Sequence, residues 1–391
     1  MGEDKQKYSV AALYPLMLAA GMVLIFPGPV MDSLIRKFEV SKTVAGRIPF
    51  LFFLGQFFGL FFLSEMARIV GVKRLFVISL SLSALALALQ AAAPAFIMLL
   101  PLFFMAGFAD AVLWSFPGVI TTRVSRDNVG RDMNYLYGFF AVGVTVEPIV
   151  AGWLIRRQYG YGAVALALSG LSILVLLWVL LAPVPELKNI QKLSVAGFSG
   201  LMKSSGKLFV LLFFGLFCYI ASEQGLSVWI PKFLVDRFPA NIHQASLTLS
   251  GIWFLLGAGR FFFGWVSKWL DRTALLFALS LVSLVASTAA ALVPRPIPCM
   301  VLYLIYGLAM SGIFPLLLAF CEGFPEQYLS MAFGLILAGG YLGGALGSFP
   351  VGFLSEKFSF SIAMLYPAGL IFFLVVIVPF LKKYFKQSKK A

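Results

Sequence analysis

Residues 166–184 read LALSGLSILVLLWVLLAPV, nineteen positions without a charge and apolar on every side of a helix. About 20 apolar residues in helical form cross a hydrocarbon core of about 30 Å. A membrane β-strand would instead alternate apolar and polar over about ten residues. Only a helix satisfies its own backbone groups within one such segment. The stretch therefore reads as a membrane-spanning helix, and it is one of many. Apolar runs punctuated by charge, Pro and Gly predict spans at 9–31, 44–64, 75–93, 96–120, 134–155 and 162–183, then at 208–232, 245–266, 273–293, 298–320, 330–353 and 360–381. Of the 391 residues, 61% are hydrophobic and 12% charged, with a mean hydropathy of +0.97. Soluble domains carry roughly 45–50% and 25%.

The expected fold is thus an all-α membrane protein of 12 transmembrane helices in two pseudo-symmetric six-helix bundles, residues 1–184 and 208–391. Residues 185–207, rich in Lys, Gly and Ser, join them as a cytoplasmic linker, and the chain closes on a basic tail. A net charge of +14 raises nucleic acid as a partner, but the bases lie in joints and at the C-terminus, as membrane topology requires. With the N-terminus inside, nineteen Lys and Arg fall on the inner side and ten on the outer, which predicts a multi-pass plasma-membrane protein with both termini cytoplasmic. Arg260 alone falls within a span.

Cys218, Cys299 and Cys321 lack metal-ligand spacing and read as packing residues. No nucleotide-binding loop, nucleophile–base constellation, metal cluster or cofactor motif occurs, so neither an enzyme nor a cofactor is expected. Ion coupling or passive exchange remains as the energy source. The start, MGEDKQK, carries Gln6 where a myristoylation signal wants Ser or Thr, and the first apolar run has no clear cleavage site, so it is kept as a span.

The joints after spans 2 and 8, SEMARIVGVKR (64–74) and GWVSKWLDR (264–272), resemble the signature loop of the major facilitator superfamily. Gly71, Lys73, Arg74 and Gly264 fit it. Ser64 replaces its first Gly, and Arg68 and Lys268 stand at its acidic position, which puts the family's salt-bridge latch in doubt. GMVLIFPGPVMDSL (21–34), GFADAVLW (107–114), MNYLYGFFAVGVTVEP (133–148), YIASEQGLSVWIPKFL (219–234), GAGRFFFG (257–264), YGLAMSGIFPLLLAF (306–320) and GGYLGGALGSFPVGFLSE (339–356) extend the likeness over nearly the whole chain. Together they are similar to the branch containing fucose and glucose permeases, sugar:proton symporters. That branch has an acid in span 4, where Asp110 stands, and one in span 7 ahead of a Gly and a Trp, where Glu223 stands. Its Asn after the span 4 acid is absent, Trp114 and Ser115 occupying the place.

A charge at mid-bilayer costs about 2.5–3.5 kcal/mol on insertion scales, so each intramembrane acid should face a cavity or a partner. Asp110, near the centre of span 4, is a candidate for binding a proton or the substrate, against a structural hydrogen bond to a neighbouring helix. Glu147 lies in GVTVEPIVAG (143–152), which resembles a motif of proton-driven exporters with Glu in place of a Gly. It reads as a protonation site or as a partner for Arg260 across the halves. The two lie near 10 Å apart in depth at about 1.5 Å per residue, which argues against a direct pair. Arg260 is otherwise a gating or structural charge that snorkels or meets helix-end carbonyls. Glu223 and Gln224 suit the cavity, where hydroxyls take hydrogen bonds and an aromatic face stacks, or else a gate at the outer mouth.

Trp114, Tyr137, Tyr219 and Tyr306 are the aromatic substrate-binding candidates, with Tyr14, Phe26, Trp253 and Tyr341 as further cavity liners, though packing explains any one of them. Asp32, four residues before Arg36, reads as a helix-end charge pair or a gate. His243 reads as a loop residue. The glycines of spans 2 and 11 permit close, slidable contacts or simple packing. The leading expectation is proton-coupled uptake of a sugar or similar small polar solute by alternating access in a monomer, its partners being solute, protons and lipid but no nucleic acid. Proton-driven export of amphipathic or drug-like compounds is the alternative, which a mostly apolar cavity would favour. A non-transporting receptor or scaffold, which a missing cavity would favour, is a third reading.

Overall fold

The computed structural model describes residues 10–125, 129–184, 195–238 and 240–388. All regular structure in them is helical. Eleven helices are long and apolar enough to cross a membrane, and a bent pair completes twelve spans. That pair, α1 (Tyr14–Ile25) and α2 (Pro27–Phe38), meets at 41°. Pro27 and Pro29 have no N–H for the helical ladder, so the first span breaks where they stand. A short α3 (Lys42–Ala45), capped by the Ser41 hydroxyl, leads into α4 (Arg47–Val70). Then follow α5 (Val72–Ala92), α6 (Phe96–Val124), α7 (Val129–Arg156) and α8 (Gly160–Leu181). The second half comprises α9 (Val195–Arg237), α10 (Ile242–Val266), α11 (Arg272–Leu292), α12 (Pro296–Ala319), α13 (Glu326–Lys357) and α14 (Phe360–Ser388).

Every expected span finds its helix, most within a few residues at each end. The exceptions lie where polarity hides helical continuation. Residues 195–204, inside the stretch expected as linker, are helical and enter the seventh span through non-helical Ser205 (φ −143°, ψ 26°). Leu201 is wholly buried there, which anchors that extension against the bundle. Residues 185–194 of the expected linker lie outside the described residues. His243, expected in a loop, sits in the first turn of α10, which a reciprocal cap between Asn241 and Gln244 nucleates.

The packing repeats in the two halves. In the first, α1 packs on α7, α4 on α6 and α5 on α8; in the second, α9 packs on α13, α10 on α12 and α11 on α14. The halves meet along two seams that are images of each other, α4 against α13 and α7 against α10. With an even number of spans, the first and last described residues, Val10 and Ser388, fall on one face, here the terminal face. Joint residues staple each half there. Lys73 donates to the carbonyls of Leu180 and Ala182 at the end of α8, and Lys382 of α14 pairs with Asp271 at 3.2 Å. Asp271 also caps α11, and the Ala274 N–H with Lys382 holds its carboxyl below the usual carboxylate range.

On the far face the halves are pinned together. Lys232 of α9 bonds Asp32 of α2 at 2.7 Å and Asp236 at 2.5 Å, Asp236 also meets Lys42 at 2.7 Å, and Arg36 holds Asp32 at 3.1 Å. Thr43 donates its N–H to Glu356 of α13 at 3.0 Å. Gly28 makes this closure possible. A β-carbon there would come within 2.9 Å of the Ser227 carbonyl oxygen across the interface, so only hydrogen lets α2 lie against α9.

Candidate functional site

Between the halves lies a narrow cavity of about 70 Å³. The first half supplies Leu24, Phe53, Gln56, Trp114, Tyr137 and Phe140. The second supplies Glu223 and Gln224 of α9, Trp253 and Arg260 of α10, Phe314 of α12, Tyr341 of α13 and neighbouring aliphatic residues. The walls are mainly apolar and aromatic, with a few polar groups set among the rings. Trp114 is their hub, with ring centroids 6.5 Å from Tyr137, 6.5 Å from Phe140 and 6.1 Å from Tyr341, all edge-on. Tyr341 Oη and Ser115 Oγ, 3.2 Å apart, bridge the halves at the same place.

Of the residues singled out from sequence, Trp114, Tyr137, Tyr219, Glu223, Gln224, Trp253, Arg260 and Tyr341 line the cavity. Glu223 is nearly fully engaged. Tyr219 donates Oη–H to Oε1 at 2.5 Å, one helical turn away, and Gln224 Nε2 donates to Oε2 at 3.2 Å. Arg260 faces the Phe314 ring with its guanidinium 5.7 Å from the centroid. Its charge reaches Tyr137, Tyr219 and Glu223 through space, yet its buried Nε has no acceptor.

Asp110 does not form the wall. It is fully buried one layer behind, where Gln56 Nε2 donates to its Oδ2 at 2.7 Å. Asp110 Oδ1 and Gln56 Oε1 have no partner, so the two side chains hold unused hydrogen-bonding capacity at the cavity edge. Tyr306 also stands back, its Oη 3.2 Å from Ser222 Oγ. Tyr14, considered as a liner, stacks on Phe139 at 4.7 Å, and Phe26 on Phe103 at 5.7 Å. Both are packing residues.

Glu147 is buried on α7, and neither of its oxygens has a hydrogen-bond partner, so no pair with Arg260 forms. The opposite helix, α10, carries further unpartnered polar atoms, the hydroxyls of Ser246 and Ser250 and the indole Nε1 of Trp253. Asp32 has the expected partner Arg36, but its 2.7 Å bond to Lys232, 200 positions away in the chain, makes it part of the far-face closure. Among the described residues Arg68 pairs with Glu65 on its own helix, and Lys268 is exposed without an ion pair. Among the described residues no group of three or more His, Cys, Asp or Glu could hold a metal ion.

Gln56 is the polar residue that sequence reasoning missed. Its signal was present, a lone amide in the run FFLGQFFGLFF (52–62), but a neutral amide is less costly in a span than a charge and draws less notice. Phe53, Phe140 and Phe314 gave no signal that separates them from the other phenylalanines.

Comparison with known proteins agrees with this architecture. The chain is 22% identical over 261 residues to the protein TsgA homolog of Serratia proteamaculans (strain 568), covering 66% of each chain, just under two thirds of that relative. It is 22% identical over 353 residues to the glucose/mannose transporter GlcP of Bacillus subtilis (strain 168), covering 87% of this chain and 86% of that one. Among solved structures, a point mutant of the nucleoside transporter NupG superposes with a TM-score of 0.78 at 14% identity, over 95% of this chain and all of that one. The family model for the Major Facilitator Superfamily matches residues 13–323 and 212–390. Two six-helix halves around a shared cavity and a family match along nearly the whole length lead to one conclusion: the chain belongs to the Major Facilitator Superfamily, a family of membrane transporters and not of enzymes.

Proposed function

We propose that this protein is a secondary active transporter that couples proton movement to uptake of a sugar or similar small polar solute. It acts as a monomer in the plasma membrane, with both termini cytoplasmic, by alternating access. The observation that carries the reading is a cavity shared by the two halves in which Gln56, Glu223 and Gln224 sit among aromatic rings. Amides and a carboxylate accept and donate to hydroxyls, while ring faces cover the apolar side of a sugar. The likeness to a glucose/mannose transporter supports the solute class.

Asp110 and Glu147 are the proposed proton carriers alongside Glu223. Asp110 and Glu147 each have an oxygen with no partner in the interior, where a lone charge is costly, so gain and loss of a proton would change their bonding most. The far-face ion pairs around Asp32 and Lys232 are the gate that opens when the halves rock.

The test is accumulation of labelled sugar in proteoliposomes under an imposed pH gradient, compared with counterflow exchange without one. Asp110→Asn should lose gradient-driven accumulation by an order of magnitude and keep counterflow. Accumulation by that variant at wild-type level, insensitive to a protonophore, would sink the proton-coupling role. The largely apolar lining favours a second reading, proton-driven export of amphipathic compounds, which the same vesicles test with the gradient reversed. The presence of the cavity weighs against a receptor or scaffold without transport.

A further inference from the structure

The cavity contains a cation whose bonding needs the protein does not meet. Arg260 lines it from α10, its Nε is buried without an acceptor, and its guanidinium lies over the Phe314 ring. A guanidinium has five donors and no acceptor. The Glu223 carboxylate feels the Arg260 charge through space but is held by the Tyr219 hydroxyl and the Gln224 amide, and it forms no ion pair with Arg260. Glu147, on the adjoining seam, does not reach it either. In an apolar, ring-lined space such a charge gains most from a planar acceptor that meets two of its N–H groups at once, which is the geometry of a carboxylate.

Two further groups on the same walls have unmet capacity of the opposite kind. Gln56 Oε1, from the first half, and Gln224 Oε1, from the second, are buried acceptors without donors. A hydroxyl supplies a donor to such an atom. The cavity therefore presents one charged fork and two neutral acceptors, divided between the halves.

We infer that the solute is a hydroxylated carboxylate, a sugar acid, with its carboxylate on Arg260 and its hydroxyls donating to Gln56 and Gln224. The inference rests on the transport reading only in taking this cavity as the solute site. It assigns Arg260, whose charge would otherwise be a gate or a structural feature, as the residue that selects acid over neutral sugar. A ligand that meets acceptors on both halves also bridges them, which couples occupancy to their relative movement.

Trp114 and Trp253 in the walls make intrinsic fluorescence a direct reporter of binding to the purified full-length protein. The probes are D-glucuronate, D-glucose, which differs from it by a hydroxymethyl group in place of the carboxylate, and phenylacetate, which has the charge without hydroxyls. D-glucuronate should bind at least about tenfold more tightly than D-glucose, the usual margin for a charge-assisted hydrogen bond. Arg260→Gln should erase that margin, and a melting temperature near the parent's shows that the variant is folded. Arg260→Lys should restore part of the margin. D-glucose binding as tightly as D-glucuronate, or a margin that survives Arg260→Gln, overturns the inference and leaves the transport reading standing. Phenylacetate binding more tightly than D-glucuronate overturns the sugar-acid assignment in favour of an amphipathic acid. Failure of all three probes to bind overturns the inference and the sugar-uptake reading together.

Discussion

The two seams between the halves have the same position in the fold and opposite chemistry. In each, one helix carries an internal proline near its far end, Pro350 of α13 and Pro148 of α7. Before Pro350 stands Phe349, whose ring lies 5.7 Å from that of Phe50 and whose carbonyl abuts Gly46. Gly344 lies under the Phe53 ring in the same seam. Before Pro148 stands Glu147, facing no partner, and across from it α10 adds Ser246, Ser250 and Trp253 with polar atoms equally unpartnered. Gly152 against Ser246 and Gly257 against Ala141 show that this seam is packed as closely as the other. Close packing holds the first seam, with hydrogen bonds joining Glu356 and Tyr341 of α13 to Thr43 and Ser115 beside it. The second has, in addition, hydrogen-bonding demands that a proton or a shift of the halves can meet. Pseudo-symmetry thus sets the shape of both seams, and the residue before the proline, Phe349 in one and Glu147 in the other, gives them opposite polarity.

Exchanging the two chemistries should produce the largest effect. Phe349→Glu replaces the ring contact with Phe50 by a carboxylate in the apolar seam, at a cost above the about 1–3 kcal/mol of an unsatisfied neutral group. A sharp fall in melting temperature in detergent is the expected result, and a variant as stable as the parent would break the comparison. A smaller effect in the opposite sense is expected of Glu147→Leu, since an apolar side chain in place of an unpartnered buried carboxyl removes a penalty of about 1–3 kcal/mol. Melting temperature should rise and the pH dependence of transport should flatten. Glu147→Gln sharpens this, because it keeps the size and polarity but not the proton, so it should flatten the pH profile with stability near the parent's. The smallest effect belongs to Ser250→Ala, expected to lie within about 0.5 kcal/mol of the parent because its hydroxyl makes no bond to lose. A large destabilisation there would show that the hydroxyl has a partner in the membrane.

Most of the architecture was legible in the residues, and most of the site was not. The number of spans and the division into halves follow from runs of apolar residues, because a helix in lipid must be long enough and must satisfy its own backbone, both local requirements. Charge placement likewise marked Asp110, Glu147, Glu223 and Arg260, since the cost of burying each is a property of one residue in one span. Facing is different. Lipid and protein interior are both apolar, so a spanning helix carries little contrast between its outer and inner faces, and nothing in the order of residues separates Phe314 in the cavity from the exposed Phe372.

Only the tertiary structure placed Gln56 between Asp110 and the cavity, set Tyr306 behind the wall, and joined Asp32 to Lys232 across 200 positions. It left Glu147 and Arg260 apart, as their depths in the spans had argued, and it alone showed both with bonding needs unmet. The physical reason is that partnership between helices depends on rotation and depth, which packing sets, whereas spanning depends on length and polarity, which each segment carries for itself.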